Sequence, residues 1–198
     1  AETRQAMNSG ELLTERLNTA MSELQKLKKE FDLSKQEAKT DTLTGLANRK
    51  AFDEVVTKVP HDADDSGLGV CIIFADLDLF KNINDKHGHL VGDQVLRVVA
   101  NSLKDSVKGR DLVARYGGEE FAIVLLNTSL QNAKNVAENI RLEIASKRIQ
   151  RKDTRESLGT ITLSFGVARY VPSEGSESFM QRADRALYMS KRRGRNCV

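Results

Sequence analysis

The chain has 198 residues, 31 of them Lys or Arg and 28 Asp or Glu, so its net charge is only +3 and nucleic-acid binding by bulk charge alone is excluded. A hydrophobic share of 39% provides a core for one domain plus an appendage and excludes fibrous, collagen-like and disordered classes. Two cysteines, Cys71 in an apolar run and Cys197 near the end, make neither a disulfide framework nor a zinc set with His61, His87 and His89, which suits a reducing, cytoplasmic setting.

The first ten residues, AETRQAMNSG, lack both an initiating Met and a signal-peptide apolar region, and no run approaches the ~20 apolar residues that span a bilayer. The chain therefore reads as part of a longer protein, with room upstream for a sensor domain or a membrane anchor. Residues 1–40 form the first expected domain. Leu13, Leu17, Ala20, Leu24, Leu27, Phe31, Ser34 and Ala38 alternate four and three apart with charged residues between, a heptad seam. Because the stripe is narrow, a parallel two-stranded coiled coil fits better than a helix lying on a domain. Asp41-Thr42-Leu43-Thr44-Gly45 supplies the capping and turn residues that end it.

A second domain is expected over residues 41–198. Asn48 caps a short helix that turns Phe52, Val55, Val56 and Val59 inward, and Pro60 with HDADDSG makes a loop. Residues 70–75, Val-Cys-Ile-Ile-Phe-Ala, read as a central strand covered on both faces. Leu96, Val99, Leu103 and Val107 mark a helix over 93–107. Runs 112–116 and 119–126 around Gly117-Gly118 predict a hairpin with a two-residue primed turn, in which Gly tolerates positive φ. A helix over 130–146, an alternating strand over 160–168 and a last helix ending at Gly194 follow. The order strand, helix, helix, strand, strand, helix, strand, helix resembles the split βαβ, ferredoxin-like or palm-type plan. This is an α+β domain with a mixed central sheet flanked by helices.

Charge is uneven along the chain: 7 basic and 7 acidic residues over 1–40, 12 and 16 over 41–146, 12 and 5 over 147–198, for net charges of 0, −4 and +7. An acidic middle with a basic end suits a metal site that meets a phosphate-bearing ligand, although a solvated basic helix gives the same count. Asp76 and Asp78 follow the buried run. They are expected to point to opposite faces, so that only one faces the hairpin; Asp76 is assigned that place, with Asp78 as a supporting or second-metal ligand. Glu119 then converges on Asp76 from the hairpin. Oxygen donors without His or Cys favour Mg²⁺ or Mn²⁺. An EF-hand fails, since Lys81 stands where its loop needs Gly, and no P-loop motif is present.

Gly117-Gly118-Glu119-Glu120-Phe121 resembles the signature of GGDEF diguanylate cyclase domains, with Glu for the first acid. Three other blocks agree in order and spacing: Asp41-x-Leu43-Thr44-Gly45-Leu46-x-Asn48-Arg49; Asp76-x-Asp78-x-Phe80-Lys81-x-x-Asn84-Asp85 with His87-Gly88-His89-x-x-Gly92-Asp93; and Ala183-Asp184-x-Ala186-Leu187-Tyr188-x-x-Lys191-x-x-Gly194-Arg195-Asn196. The resemblance covers about residues 40–197. It implies Mg²⁺ on Asp76, Glu119 and the Leu77 carbonyl, with Asp78 a candidate for a second ion and Mn²⁺ the alternative metal. It implies catalytic roles for Glu119, as helper in deprotonating a 3′-hydroxyl, and for Lys81, which holds phosphate.

By the same resemblance Asn84 and Asp93 read guanine, His89 lies near the nucleotide, and Lys191 and Arg195 bind phosphates. The substrate implied is GTP, two molecules of which condense to cyclic di-GMP and two pyrophosphates across a homodimer joined by the N-terminal helix. Many relatives carry an inhibitory Arg-x-x-Asp product site. Here Lys108-Gly109-Arg110-Asp111 stands in its place, and since Lys lacks the planar bidentate fork, product inhibition is expected to be weak or absent unless Arg110 substitutes. The competing readings are a catalytically silent GTP or cyclic di-GMP receptor and a structural dimerisation module. The second leaves four matching blocks unexplained.

Overall fold

The computed structural model describes residues 16, 21–30, 38–61, 69–107, 109, 111–151 and 156–198. The chain divides into two compact units, Ala1–Lys39 and Thr40–Val198. In the first, residues 21–30 are helical and exposed throughout, Leu24 and Leu27 of the heptad seam among them. The seam positions Leu13, Leu17, Ala20, Phe31 and Ser34 lie outside the described residues, and Ala38 stands in a turn. Exposed leucines three apart on one helix are the surface that a coiled coil buries. Among the described residues no helix is long and apolar enough to cross a membrane.

The second unit runs β1 (Ala47–Asn48), α1 (Arg49–Val56), β2 (Cys71–Leu77), α2 (Phe80–His87), α3 (His89–Ser106), β3 (Leu112–Arg115), β4 (Glu120–Leu125), α4 (Leu130–Ser146), β5 (Leu163–Arg169) and α5 (Ser176–Arg192). The sheet has the order β1-β3-β4-β2-β5 and is antiparallel except where β1 lies parallel to β3. This is the expected mixed sheet flanked by helices. The two-residue β1 was not expected, being too short to show a period.

Every residue of β2 is buried, as the apolar run requires, because its side chains feed two cores. Cys71, Ile73, Ala75 and Leu77 pack with Val95, Val99 and Leu103 of α3 and Ala137, Ile140 and Ile144 of α4. Ile72 and Phe74 pack on the other face with Phe52 and Val56 of α1 and Phe179, Ala183 and Leu187 of α5. Alternation by two divides the strand between the layers. Asn48 caps α1 as expected, its side chain accepting from the Ala51 amide at 3.0 Å, and Phe52, Val56 and Val59 are buried while Val55 is only half-buried. Both cysteines are free, and burial pushes the Cys71 thiol up to about 11, so it is an inert core group.

Three boundaries differ from the sequence reading. The helix expected over 93–107 begins at His89 and follows a separate α2, the break falling at Gly88 with φ 84°. The strand expected over 160–168 is Leu163–Arg169, although Ile161 is buried ahead of it. The hairpin is not a two-residue primed turn: β3 ends at Arg115, β4 starts at Glu120, and among the described residues neither Gly117 nor Gly118 has positive φ. The Tyr116 and Gly117 amides both donate to the Glu120 carbonyl, at 2.8 and 3.1 Å, which closes a wider loop.

Gly166 lies in the interior of β5, where α5 crosses closest to the sheet. A Cβ there would overlap the Leu187 amide nitrogen and the Ala183 carbonyl. Because these are backbone atoms of a packed helix, Gly166→Ala is expected to lower the unfolding free energy by about 1–3 kcal/mol, measured by urea denaturation.

Candidate active site

With neighbours on both edges and helices on both faces, β2 can bring polar groups to a surface only where it ends. Asp76 stands there, paired with Glu120 across β4 and Ser164 across β5, and on the face that α5 covers. Asp76 is only 6% exposed, and its carboxylate accepts from Lys191 Nζ of α5 at 2.8 Å. Burial pushes the Asp76 carboxyl above its ordinary value. Lys191 and Arg195 oppose that rise and Asp78 adds to it. The Leu77 amide donates to the Glu119 carbonyl at 3.2 Å, which holds the hairpin tip beside the strand end. Glu119 is likewise raised, first by burial and then by the negative field of Asp76, with Lys191 opposing. Two carboxylates thus share a corner with two cations from the C-terminal end of the chain.

Asp78 takes a different place from the one expected. Two residues apart on a regular strand, Asp76 and Asp78 would share a face, but β2 stops at Leu77 and the chain reverses through Leu79 at φ 57°. Asp78 is 8% exposed, and its oxygens accept from Thr162 Oγ1 at 2.8 Å, Ser164 Oγ at 2.7 Å and the Asn196 amide at 3.0 Å. These three donors engage both oxygens, so Asp78 serves as a structural acceptor here. It straps down the C-terminal segment, in which Arg195 and Asn196 both adopt left-handed φ, 65° and 48°. The Asn196 side chain accepts from Arg141 Nη1 at 3.0 Å, and the Phe165 amide donates to the Cys197 carbonyl at 2.9 Å.

The signature loop has its own brace. Arg115 Nη2 donates to the Gly118 carbonyl at 2.7 Å while Nη1 pairs with Asp41 at 3.3 Å. Asp41 Oδ1 also accepts from the Thr44 amide at 2.9 Å and hydroxyl at 2.6 Å. One guanidinium therefore ties the residue before Glu119 to the turn at the start of the domain. Arg49 lies over the Tyr116 ring at 4.5 Å, and Tyr116 packs edge-to-face with Phe52 and at a tilt with Phe74, which anchors the loop's other end.

Asn84 and Asp93 come from consecutive helices, α2 and α3. The Asn84 Oδ1 is buried without a hydrogen-bond partner and lies against Gly92, where a Cβ would overlap it. Gly92 thereby makes room for the amide against α3, on the residue before Asp93. A buried acceptor without a partner is costly, and such a group is a natural contact for a ligand donor. Lys81 and His89 are exposed, and among the described residues neither is joined to this pair or to Asp76 by a hydrogen bond or ion pair. Asp111 accepts from the Leu126 amide at 2.8 Å, which ties the start of β3 to the end of β4. Lys108 and Arg110 lie outside the described residues.

Among the described residues no three His, Cys, Asp or Glu side chains cluster as a closed metal cage. Asp76 and Glu119, close enough at the strand end to feel each other's charge, offer only hard oxygen donors. That set fits Mg²⁺ or Mn²⁺, which retain waters and share their shell with substrate phosphates.

Residues 38–197 match the family described as diguanylate cyclase, GGDEF domain. The chain belongs to the GGDEF family. Over 198 residues it is 36% identical to the diguanylate cyclase VdcA of Vibrio cholerae, covering all of this chain and 57% of VdcA. Over 174 residues it is 38% identical to the response regulator PleD of Caulobacter vibrioides, covering 87% of this chain and 38% of PleD. The chain thus spans about half or less of these relatives. Among solved structures, the coiled coil and GGDEF domain of DgcB from Caulobacter crescentus, in complex with c-di-GMP, superposes with a TM-score of 0.89 at 40% identity, covering 94% of this chain and 97% of that one. The diguanylate cyclase SiaD of Pseudomonas aeruginosa, in complex with its activator SiaC, gives 0.79 at 30% identity, covering 100% and 75%.

Sequence reasoning missed the braces of this GGDEF site: Arg115, Asp41 as its partner, Gly92 and the strapping role of Asp78. An Arg two residues before Gly-Gly, facing carbonyls that no strand pairs, is the signal that was available for Arg115.

The Asp41 brace carries a pH signature. Burial pushes the Asp41 carboxyl up, but the Thr44 hydroxyl and amide and the Arg115 guanidinium outweigh it, and the pKa lies below its ordinary value. On acidification the unfolded chain takes up this proton first, so the stability Asp41 contributes is full above the ordinary carboxyl range and is lost as pH falls through the lowered value. Asp41→Ala is expected to cost about 1–3 kcal/mol at neutral pH, a penalty that shrinks below about pH 4, as measured by urea unfolding across pH.

Proposed function

We propose that this chain is the catalytic portion of a diguanylate cyclase, condensing two GTP into cyclic di-GMP and two pyrophosphates. The observation that carries the reading is the meeting of Asp76 and Glu119 with Lys191 and the field of Arg195 at the end of β2. Carboxylates suited to a divalent ion stand beside cations suited to phosphates.

Asp76, Glu119 and the Leu77 carbonyl would hold Mg²⁺, or Mn²⁺ in its place. The bound ion would neutralise phosphate charge and make a 3′-hydroxyl more acidic. Lys191, Arg195 and the exposed Lys81 grip the triphosphate, and the strap on Asp78 sets the place of Arg195. Asn84 offers its unpartnered Oδ1 to a guanine N–H, and Asp93 accepts from N1 and N2. Glu119 is placed to receive the 3′-hydroxyl proton. The hydroxyl oxygen bonds to the α-phosphorus of the other nucleotide and pyrophosphate leaves; the reciprocal attack closes the ring.

A protomer that binds one GTP holds half of this reaction, so turnover requires a two-fold dimer. Residues 1–40 are proposed as its coiled-coil connection and residues 41–198 as the cyclase domain. An upstream sensor would act by shifting the population of productive dimers. The setting is the cytoplasm, where GTP is available and the free thiols stay reduced. With Lys108 in place of Arg, product feedback through Asp111 is weak or absent.

Incubation of the purified chain with GTP and Mg²⁺ should yield cyclic di-GMP and pyrophosphate, resolved by chromatography. Glu119→Gln should lower the rate about 100-fold or more, and equal rates would sink the assignment of Glu119. Inosine triphosphate lacks the 2-amino group that Asp93 accepts from. The wild type should therefore prefer GTP by about tenfold or more, and Asp93→Asn should erase most of that preference in kcat/KM.

A further inference from the structure

The ion pair between Lys191 and Asp76 does more than place a phosphate-binding cation. Asp76 is 6% exposed and Lys191 Nζ lies 2.8 Å from Oδ2. The carboxylate that must meet a divalent ion is thus already neutralised by a charge from its own chain. Two positive charges on one buried carboxylate, even on its two different oxygens, repel each other, and the repulsion is strong where water is scarce. A cation arriving alone meets that repulsion and weakens the hold of the ammonium on its partner. A triphosphate changes that balance, because it offers Lys191 another anion. The side chain of Lys191 retains about a third of its exposure, 34%, and an ammonium on a four-carbon stem is a point charge that reorients readily.

We propose that Lys191 is an internal counter-ion that competes with the divalent metal for Asp76, so that metal enters tightly only when nucleotide phosphates draw Lys191 away. Metal and triphosphate binding are then positively coupled through one side chain. By linkage each tightens the other by the same factor. The coupling keeps the bare metal site from filling with cation ahead of substrate. Lys191 is in this respect a positioning residue for the metal, in addition to the phosphate role given above. The inference rests on that proposed metal site and would fail with it.

The test is Mn²⁺ binding to the nucleotide-free protein, followed by electron paramagnetic resonance. Lys191→Met should bind Mn²⁺ more tightly than the wild type, by about 5- to 150-fold. Asp76→Asn should bind it more weakly than either, and Lys191→Arg should stay near the wild type. Equal or weaker Mn²⁺ binding by Lys191→Met, with Asp76→Asn still impaired, overturns the competition and leaves the metal site standing. Unchanged binding by Asp76→Asn overturns both.

Should Lys191→Met not fold, because Asp76 is left buried and unpaired, the wild type itself answers. Its ¹⁵N-lysine ammonium resonance, identified by its loss in Lys191→Arg, should move toward that of a solvated lysine in step with Mg²⁺ occupancy. A resonance that stays in place while Mg²⁺ binds overturns the inference.

Discussion

The organising constraint is the complete enclosure of β2. A strand with partners on both edges and packed helices on both faces can carry charge only at its end, so every residue from Cys71 to Leu77 is buried and polar chemistry is confined to its exit at Asp76. That confinement gives rigidity. Asp76 is held by ladder pairing to β4 and β5, and the hairpin tip reaches it through the backbone bond between Leu77 and Glu119. The same enclosure withholds water from the carboxylates, which is why burial leads the upward shifts of both Asp76 and Glu119.

Those shifts record a cost. An acid raised in the folded state binds its proton more readily there than in the unfolded chain, so it favours folding at low pH and opposes it as pH rises. At neutral pH the two carboxylates work against stability, and Lys191 offsets part of the penalty. The remainder of the domain compensates with features that take no part in the chemistry, among them the Asn48 cap, the aromatic group of Phe52, Phe74 and Tyr116, and the brace from Arg115 to Asp41. Functional sites commonly retain such unfavourable electrostatics because the reaction needs them.

The parts of this structure that were legible in the sequence were those with a period or a cap. The apolar run of β2, the helical spacing of α3 and α4 and the alternation in β5 each report burial on one or two faces. Asn48 announces α1 by the chemistry of its side chain. Illegible were features that neither a period nor a cap reports. Gly117-Gly118 looked like a positive-φ turn, yet the loop is closed locally by two amides sharing the Glu120 carbonyl, and other features depend on contacts distant along the chain. Asp78 was expected on the face opposite Asp76 as a supporting ligand, yet the strand ends between them, and its partners lie 84, 86 and 118 residues away. The site residues became legible only as a set of four blocks in register, because a carboxylate pair or a basic tail is individually common.

The missing side chain at Gly166 has a reach beyond its own strand. By allowing the backbone of α5 to lie directly on β5, it sets the height of the whole helix above the sheet, and Lys191 is carried one turn beyond Leu187, the point of contact. The position of the cation over Asp76 is thus calibrated by an absent methyl group some 25 residues earlier in the chain. A repacking that lifts α5 would lengthen the gap between Lys191 and Asp76 while leaving every polar residue of the site unchanged. Drift in the polar chemistry of this domain can therefore originate in its apolar packing.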